Sequence, residues 1–102
     1  MRKVICKKLY DPAKAEKIAV YSNGMDADDP MYEEEALYLT ASGNWFIFGQ
    51  GGPSSSYACP IGNGRGGRDI RALPSESAKA WLVEREFDDL VLEHFGEGFE
   101  DA

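Results

Sequence analysis

Ala36-Leu37-Tyr38-Leu39-Thr40 and Trp45-Phe46-Ile47-Phe48 flank the link Ala41-Ser42-Gly43-Asn44, and this stretch decides the fold. Both runs are built from residues that favour strands, and a four-residue link with Gly and Asn joins them, which is the pattern of a β-hairpin. The second run is apolar on both faces. It predicts a central strand covered by a helix on one side and by a loop or a partner on the other.

Outward from the hairpin, residues 3–10 read as a first strand. Asp11-Pro12 offers an N-cap and a proline at the first helical position. Ala15, Ile18 and Ala19 follow at helical spacing, which predicts a short N-terminal helix. Ser22-Asn23-Gly24 is a turn signal, and residues 25–30 form an acidic loop. On the other side, residues 49–67 hold most of the glycines and read as a long loop of the kind that often carries function. Residues 69–73 read as a short strand that closes the sheet. Ser75, behind Pro74, is a candidate helix cap. Ala78, Trp81 and Leu82 make one apolar stripe, and Phe87, Leu90, Val91, His94 and Phe95 make a second, out of phase with it. The slip places a bend or break near Arg85-Glu86, and Gly96 is the expected C-cap.

The expected fold is therefore α+β. A three- to four-stranded antiparallel sheet, centred on the 36–48 hairpin, packs against C-terminal helices, with a short helix near the N-terminus. Its expected core is Val4, Ile18, Leu37, Leu39, Phe46, Phe48, Trp81, Leu82, Leu90, Val91 and Phe95.

A chain of 102 residues that is 43% hydrophobic is one domain, residues 1–102, with a real but thin core, and is not wholly disordered. No apolar run is long enough for a membrane-spanning helix. The opening residues lack the apolar stretch of a signal peptide. Cys6 and Cys59 are too few for a disulfide framework, so the sequence points to a reducing cytoplasm. The net charge of −7 is unevenly placed: residues 1–17 carry +4 and residues 84–102 carry −7. Net acidity argues against direct nucleic-acid binding, which needs Lys and Arg to displace counterions. Solubility alone accounts for such a balance; the sharper reading is an acidic face for a basic protein surface.

Candidate chemistry is sparse. Gly62-Asn63-Gly64-Arg65-Gly66-Gly67 lacks the Lys-Ser/Thr of a phosphate loop and the strand-then-helix setting of a dinucleotide fingerprint. Arg65, Arg68 and Arg71 form a basic cluster that either pairs with the acidic C-terminal helix or binds an anion. Ser54, Ser55, Ser56 and Cys59 are candidate nucleophiles, but His94 is the sole histidine and sits on an apolar stripe near a helix end, where packing explains it. Cys6, Cys59 and His94 have no metal-ligand spacing. Asp26-Ala27-Asp28-Asp29 lacks the Gly and the bidentate Glu of a calcium loop. Glu33-Glu34-Glu35 reads as a solvated run at the start of a strand, and on an edge strand it would discourage aggregation.

The order of motifs resembles a family of small acidic accessory proteins of bacteriophages and mobile elements. The resemblance runs through Lys8-Leu9-Tyr10-Asp11, Tyr21-Ser22-Asn23-Gly24, Tyr32-Glu33-Glu34-Glu35-Ala36-Leu37-Tyr38, Gly43-Asn44-Trp45-Phe46-Ile47-Phe48-Gly49-Gln50-Gly51-Gly52-Pro53, Ser56-Tyr57-Ala58 and Leu73-Pro74-Ser75-Glu76-Ser77-Ala78-Lys79-Ala80-Trp81-Leu82. It covers about residues 8–96. Residues 60–68 depart from it in lacking an aromatic among the glycines. Small acidic phage accessory proteins include anti-CRISPR inhibitors. The resemblance implies a non-enzymatic inhibitor in the cytoplasm of a host bacterium that binds a CRISPR-Cas effector through acidic surface, as a DNA mimic. It implies no cofactor, no membrane and no direct contact with nucleic acid. The partner-binding candidates are Asp26, Asp28, Asp29, Glu33, Glu34 and Glu35 in one cluster, Glu86, Asp88, Asp89 and Glu93 in another, and Tyr32 and Tyr57 as exposed anchors. A homodimer is open. The alternative is a small enzyme or an anion- or nucleotide-binding domain that uses the glycine-rich loop 49–71.

Overall fold

The computed structural model describes residues 1–26, 28–58 and 66–102. Its strands are β1 (Lys3–Ile5), β2 (Lys8–Tyr10), β3 (Glu16–Ser22), β4 (Glu33–Leu39), β5 (Trp45–Gly51) and β6 (Gly67–Leu73), followed by helices α1 (Ser75–Glu84) and α2 (Asp88–Phe95). The fold is α+β. β3-β4-β5-β6 form an antiparallel sheet in that order, and β1 and β2 pair separately.

The hairpin at its centre is longer than its apolar residues suggest. β4 and β5 pair from Leu39↔Trp45 out to Glu33↔Gly51. Thr40 and Asn44 close the loop, with the Thr40 hydroxyl accepting from the Asn44 N–H at 3.0 Å and Gly43 taking the left-handed conformation at φ +86°. β5 lies between β4 and β6. Its alternation sends Trp45 and Ile47 into one core and Phe46 into another. α1 and α2 cover the first face. The β1–β2 hairpin covers part of the second, where Tyr10 meets Phe46 edge-on at 5.5 Å and Tyr38 stacks on Phe46 at 5.1 Å.

The expected N-terminal helix is not there. Asp11 and Pro12 do their expected work for a single 3-10 turn, Pro12–Lys14, with the Asp11 carboxylate accepting from the Ala13 N–H at 2.9 Å. Residues 16–22 then form a strand. The helical spacing of Ala15, Ile18 and Ala19 has another source: a bulge between Lys17 and Ala19 shifts the phase of the alternation. Ala15 packs on the hairpin side, whereas Ile18 and Ala19 pack on the helix side. An extra residue in a strand thus imitates a period near 3.6.

Residues 3–10 are likewise a hairpin and not one strand. Ile5 pairs with Lys8 around a two-residue turn, in which Cys6 and Lys7 both take positive φ, +50° and +65°. That is the primed geometry that suits strand twist, usually supplied by Asn-Gly. Val4 consequently faces solvent and is not core, being 68% exposed. Leu37, Phe46, Trp81, Leu82 and Val91 are buried as expected, and Ile18, Leu39, Phe48, Leu90 and Phe95 pack against them.

The break between the helices is a Schellman motif. The Phe87 N–H reaches the Leu82 carbonyl at 3.0 Å and the Glu86 N–H reaches Val83 at 3.1 Å. Phe87 then stacks on Trp81 with ring centroids 6.0 Å apart, the apolar contact that accompanies such caps. Glu86 occupies the left-handed position at φ +61°, where glycine is the usual residue. At the start of α1, Pro74 stands at the N-cap and no side chain caps the helix, so Ser75 does not play the part its position suggested.

Candidate functional site

Glu33, Glu34 and Glu35 lie on β4, which is interior to the sheet, so the run does not guard an edge. Alternation splits it. Glu35 is in phase with Leu37 and Leu39 and points under the helices. It is buried, and three donors surround it: the Tyr57 hydroxyl at 2.5 Å on one oxygen, and the Trp81 Nε1–H at 3.0 Å and the Arg85 Nη2–H at 3.2 Å on the other. Arg85 lies between the Tyr21 and Trp81 rings, 4.6 and 4.5 Å from their centroids. Its Nη1–H also bonds the Trp81 carbonyl at 3.2 Å, while its buried Nε has no partner. Tyr57 is itself buried, 4% exposed, so it is not a surface anchor. Gly49 makes room for it, since a Cβ there would stand 1.9 Å from the Tyr57 ring. Burial first, and the hydrogen bond to Glu35 second, raise the Tyr57 pKa well above its usual value.

The other two carboxylates also have internal partners. Glu33 accepts from the Ser56 hydroxyl and from its N–H at 3.0 Å. Glu34 accepts from the half-buried Tyr32 hydroxyl at 2.9 Å, and this bond is the first cause of a raised Tyr32 pKa. The run is therefore largely structural. Glu35 in particular is withdrawn from any docking surface.

The remaining acidic candidates are surface groups, and the fold brings most of them to one end. The loop 23–32 joins β3 to β4 beside the pair Ser22↔Glu34. Arg85, at the end of α1, reaches Glu35 and Tyr21, one residue from that pair. The α1–α2 elbow and the acidic loop therefore share one end of the sheet. Asp26, Asp28, Glu86, Asp88 and Asp89 are all exposed there, while Asp29 is half-buried and its carboxylate accepts from the Met31 N–H at 2.8 Å. Asp88 and Asp89 also sit in the first turn of α2, where the helix dipole favours them. Glu93 lies elsewhere. α2 runs back to the far end, where its neighbour His94 packs edge-on against Trp45 at 5.4 Å and Phe95 stacks on the same ring at 5.3 Å.

The basic residues are spread along the sheet: Arg68 stands level with Glu34, and Asp69, the partner of Lys3, level with Glu35, while Arg85 is at this end and Lys17 is level with Tyr38. Lys8 bonds Asn44 at 3.2 Å in the turn before Trp45, and Lys3 pairs with Asp69 at 2.7 Å. About five strand residues, roughly 17 Å, separate the Trp45 end from the Glu34 end.

Little supports chemistry in the glycine-rich loop. Arg71 does not pair with the C-terminal helix. Its guanidinium covers the Tyr57 ring at 4.0 Å and donates to the Ser56 carbonyl at 2.9 Å. Ser55 donates to Gly52 and Ser56 to Glu33. Cys59 and Arg65 lie outside the described residues. Arg68, with Tyr32, Gln50 and Pro53, lines a shallow depression floored by Gly51, Gly52, Gly66 and Gly67. Among the described residues no group of three or more His, Cys, Asp or Glu is placed to hold a metal ion, and no helix is long and apolar enough to cross a membrane.

The Glu35 cluster is what the sequence reading missed. Its signal was the alternation itself, because a residue two before Leu37 on the same strand shares its buried face. The chain matches no protein-family model, no curated protein and no solved structure. The likeness to phage accessory proteins therefore rests on the order of motifs alone.

Proposed function

We propose that this chain is a non-enzymatic binding protein that docks its acidic end on the basic, nucleic-acid-binding groove of a partner, as an anti-CRISPR inhibitor of a bacterial Cas effector. The observation that carries the reading is the convergence of Asp26, Asp28, Asp29, Glu86, Asp88 and Asp89, from two distant segments, on one end of the sheet. Glu86 adds weight. A non-glycine residue in the left-handed region costs about 1–2 kcal/mol, and a carboxylate kept at such a position is better explained by use than by stability. Mechanistically, the carboxylates occupy the places of phosphates between the partner's Lys and Arg side chains and exclude the nucleic acid. The motif resemblance makes a Cas effector the first partner to test.

The test is capture by purified effector complexes, with DNA as competitor. Association is expected to slow several-fold between about 0.05 M and 0.5 M salt, as the Debye length shrinks. Asp26→Asn with Asp28→Asn should slow it in the same way while changing stability by only about 0.5 kcal/mol, and Asp88→Asn with Asp89→Asn should slow it too, at a stability cost of about 1 kcal/mol from the lost interaction with the α2 dipole. Tyr32→Ala should raise the off-rate, costing about 1–2 kcal/mol of binding. Glu86→Gly should stabilise the fold by about 1 kcal/mol and weaken binding. Failure to bind any effector at low salt sinks the reading.

A second reading is favoured by the depression beside Arg68: a ligand-binding domain using part of the 49–71 loop. It loses Tyr57 and Arg71, which are committed to internal contacts. A thermal shift with nucleotides or sugar phosphates would support it, since a bound ligand raises stability by mass action.

A further inference from the structure

The outer face of the β1–β2 hairpin exposes apolar and basic side chains together. Alternation divides the hairpin. Ile5 and Tyr10 turn inward onto the sheet, while Val4 and Leu9, opposite each other across the two strands, turn outward and are 68% and 46% exposed. Arg2, Lys7 and Lys8 are exposed beside them, and residues 1–10 contain no Asp or Glu. The helices cover the opposite face of the sheet, and the tail after them folds back there, with Lys79 of α1 4.6 Å from the Phe99 ring. Residues 75–102 carry nine Asp and Glu against Lys79 and Arg85. With packed layers about 10 Å apart, these carboxylates stand roughly 20 Å from the outer face of the hairpin. The Debye length at about 0.15 M salt is about 8 Å. At that salt the hairpin's own cations, and not the net charge of the chain, decide what this face meets.

We propose that the outer face of the β1–β2 hairpin rests on an anionic lipid surface, with Val4 and Leu9 at the boundary of headgroups and acyl chains and Arg2, Lys7 and Lys8 among the headgroups. Aliphatic side chains ringed by cations are the pattern of segments that lie in a membrane interface. A nucleic acid would offer the same negative charge, but exposed valine and leucine gain little from a phosphate backbone, and the bases of a single strand are met by exposed aromatic rings. The hairpin's one aromatic residue, Tyr10, is buried. Two aliphatic side chains and a few cations make a weak, reversible contact and not an anchor. The contact is independent of the effector reading, because it lies on the opposite side of the sheet from the α1–α2 elbow and leaves that elbow uncovered.

Co-sedimentation of the intact chain with vesicles tests the proposal, using phosphatidylcholine alone and phosphatidylcholine mixed with phosphatidylserine. At about 0.15 M salt the chain is expected to bind the mixed vesicles and not the neutral ones. Binding should fall several-fold at about 0.5 M, where the cations are screened. It should also fall at about 0.01 M, where a Debye length of about 30 Å lets the distant carboxylates repel the surface. Lys7→Glu with Lys8→Glu should reduce binding at least tenfold. Should loss of the Lys8–Asn44 bond disturb the hairpin, Arg2→Glu with Lys7→Glu serves instead, and circular dichroism checks the fold of each variant. Val4→Ser with Leu9→Ser should reduce binding several-fold at every salt concentration. The proposal is overturned by no binding to the mixed vesicles, by equal binding to both kinds, by binding indifferent to the charge reversals, or by binding strongest at the lowest salt. Retention on a DNA duplex without binding to vesicles assigns the face to a phosphate backbone and overturns it too.

Discussion

On the helix side of the sheet, Glu35 is enclosed by a tyrosine from the loop after β5 and by a tryptophan and an arginine from α1 and its C-cap. On the other side, Ala36 and Tyr38 of the same strand meet Phe46, Ile70 and Tyr10 in a cluster of apolar and aromatic residues. One strand thus serves two cores of different kinds. The first depends on direction: each donor must reach one carboxylate, which also pairs with Arg85. The second depends on shape and area, which many residues supply. A directional core is brittle towards small chemical changes, and an aromatic core is tolerant of them.

The sharpest way to break this contrast is to truncate at neighbouring positions of β4. Glu35→Ala leaves the half-buried Arg85 with only the exposed Glu84, 3.5 Å away, as counter-ion, and strands the Tyr57 and Trp81 donors. It is expected to cost about 3–5 kcal/mol. Tyr38→Phe removes one hydroxyl from a stacked pair and is expected to cost less than about 1.5 kcal/mol. Urea unfolding of both variants decides the matter, and similar losses would show that the two faces are held in the same way.

A smaller effect sharpens the account of how Tyr57 reaches Glu35. Gly49→Ala places a methyl group into the tyrosine ring and should cost about 1–3 kcal/mol. In a Tyr57→Ala background the same change should cost nothing, or gain about 0.5–1 kcal/mol from the lower backbone entropy of alanine in a strand. A double-mutant cycle reads this directly. If the two costs simply add, Gly49 is not there for Tyr57.

Particular residues show what could be read from the chain. The Ala36–Phe48 hairpin was legible because alternation and turn chemistry agreed on it. The two helices and their break were legible because two apolar stripes fell out of phase. β3 was not, since its bulge made Ala15, Ile18 and Ala19 look helical although they face opposite sides of the sheet. The β1–β2 turn was also hidden: Cys6 and Lys7 hold a conformation normally marked by Asn or Gly, so no local signal announced it. Among the candidate residues, charge alone picked out carboxylates that lie on the surface. It could not separate them from Glu35 or show that Tyr57 is internal, because those facts depend on Trp81, Arg85 and Gly49, which become neighbours only in the folded chain.

The smallest expected effects come from pH, and they separate the helix face from the β6 edge by the sign of their response. On the helix face, burial and the Glu35 carboxylate hold the proton on Tyr57 and raise its pKa above the usual value near 10. A group whose pKa is raised on folding contributes fully below the unfolded value, and that contribution is lost as pH climbs above it. Stability should therefore decline above about pH 10, and Tyr57→Phe should flatten that limb. Tyr32, shifted in the same direction by Glu34, is the control: Tyr32→Phe should leave most of the decline in place. At the β6 edge, where the hairpin's Lys3 reaches it, the Lys3 ammonium is the main cause that lowers the Asp69 pKa below its ordinary 3.8. That contribution is complete above the unfolded value and is lost as pH falls through the folded one. Because both partners are about two-fifths exposed, solvent screens the pair and the loss should stay below about 1 kcal/mol. Lys3→Met should remove most of the part of the acid limb that comes from Asp69 without touching the alkaline one. If Lys3→Met changes the alkaline limb, or Tyr57→Phe the acid limb, the two sites are coupled through the sheet and cannot be treated separately.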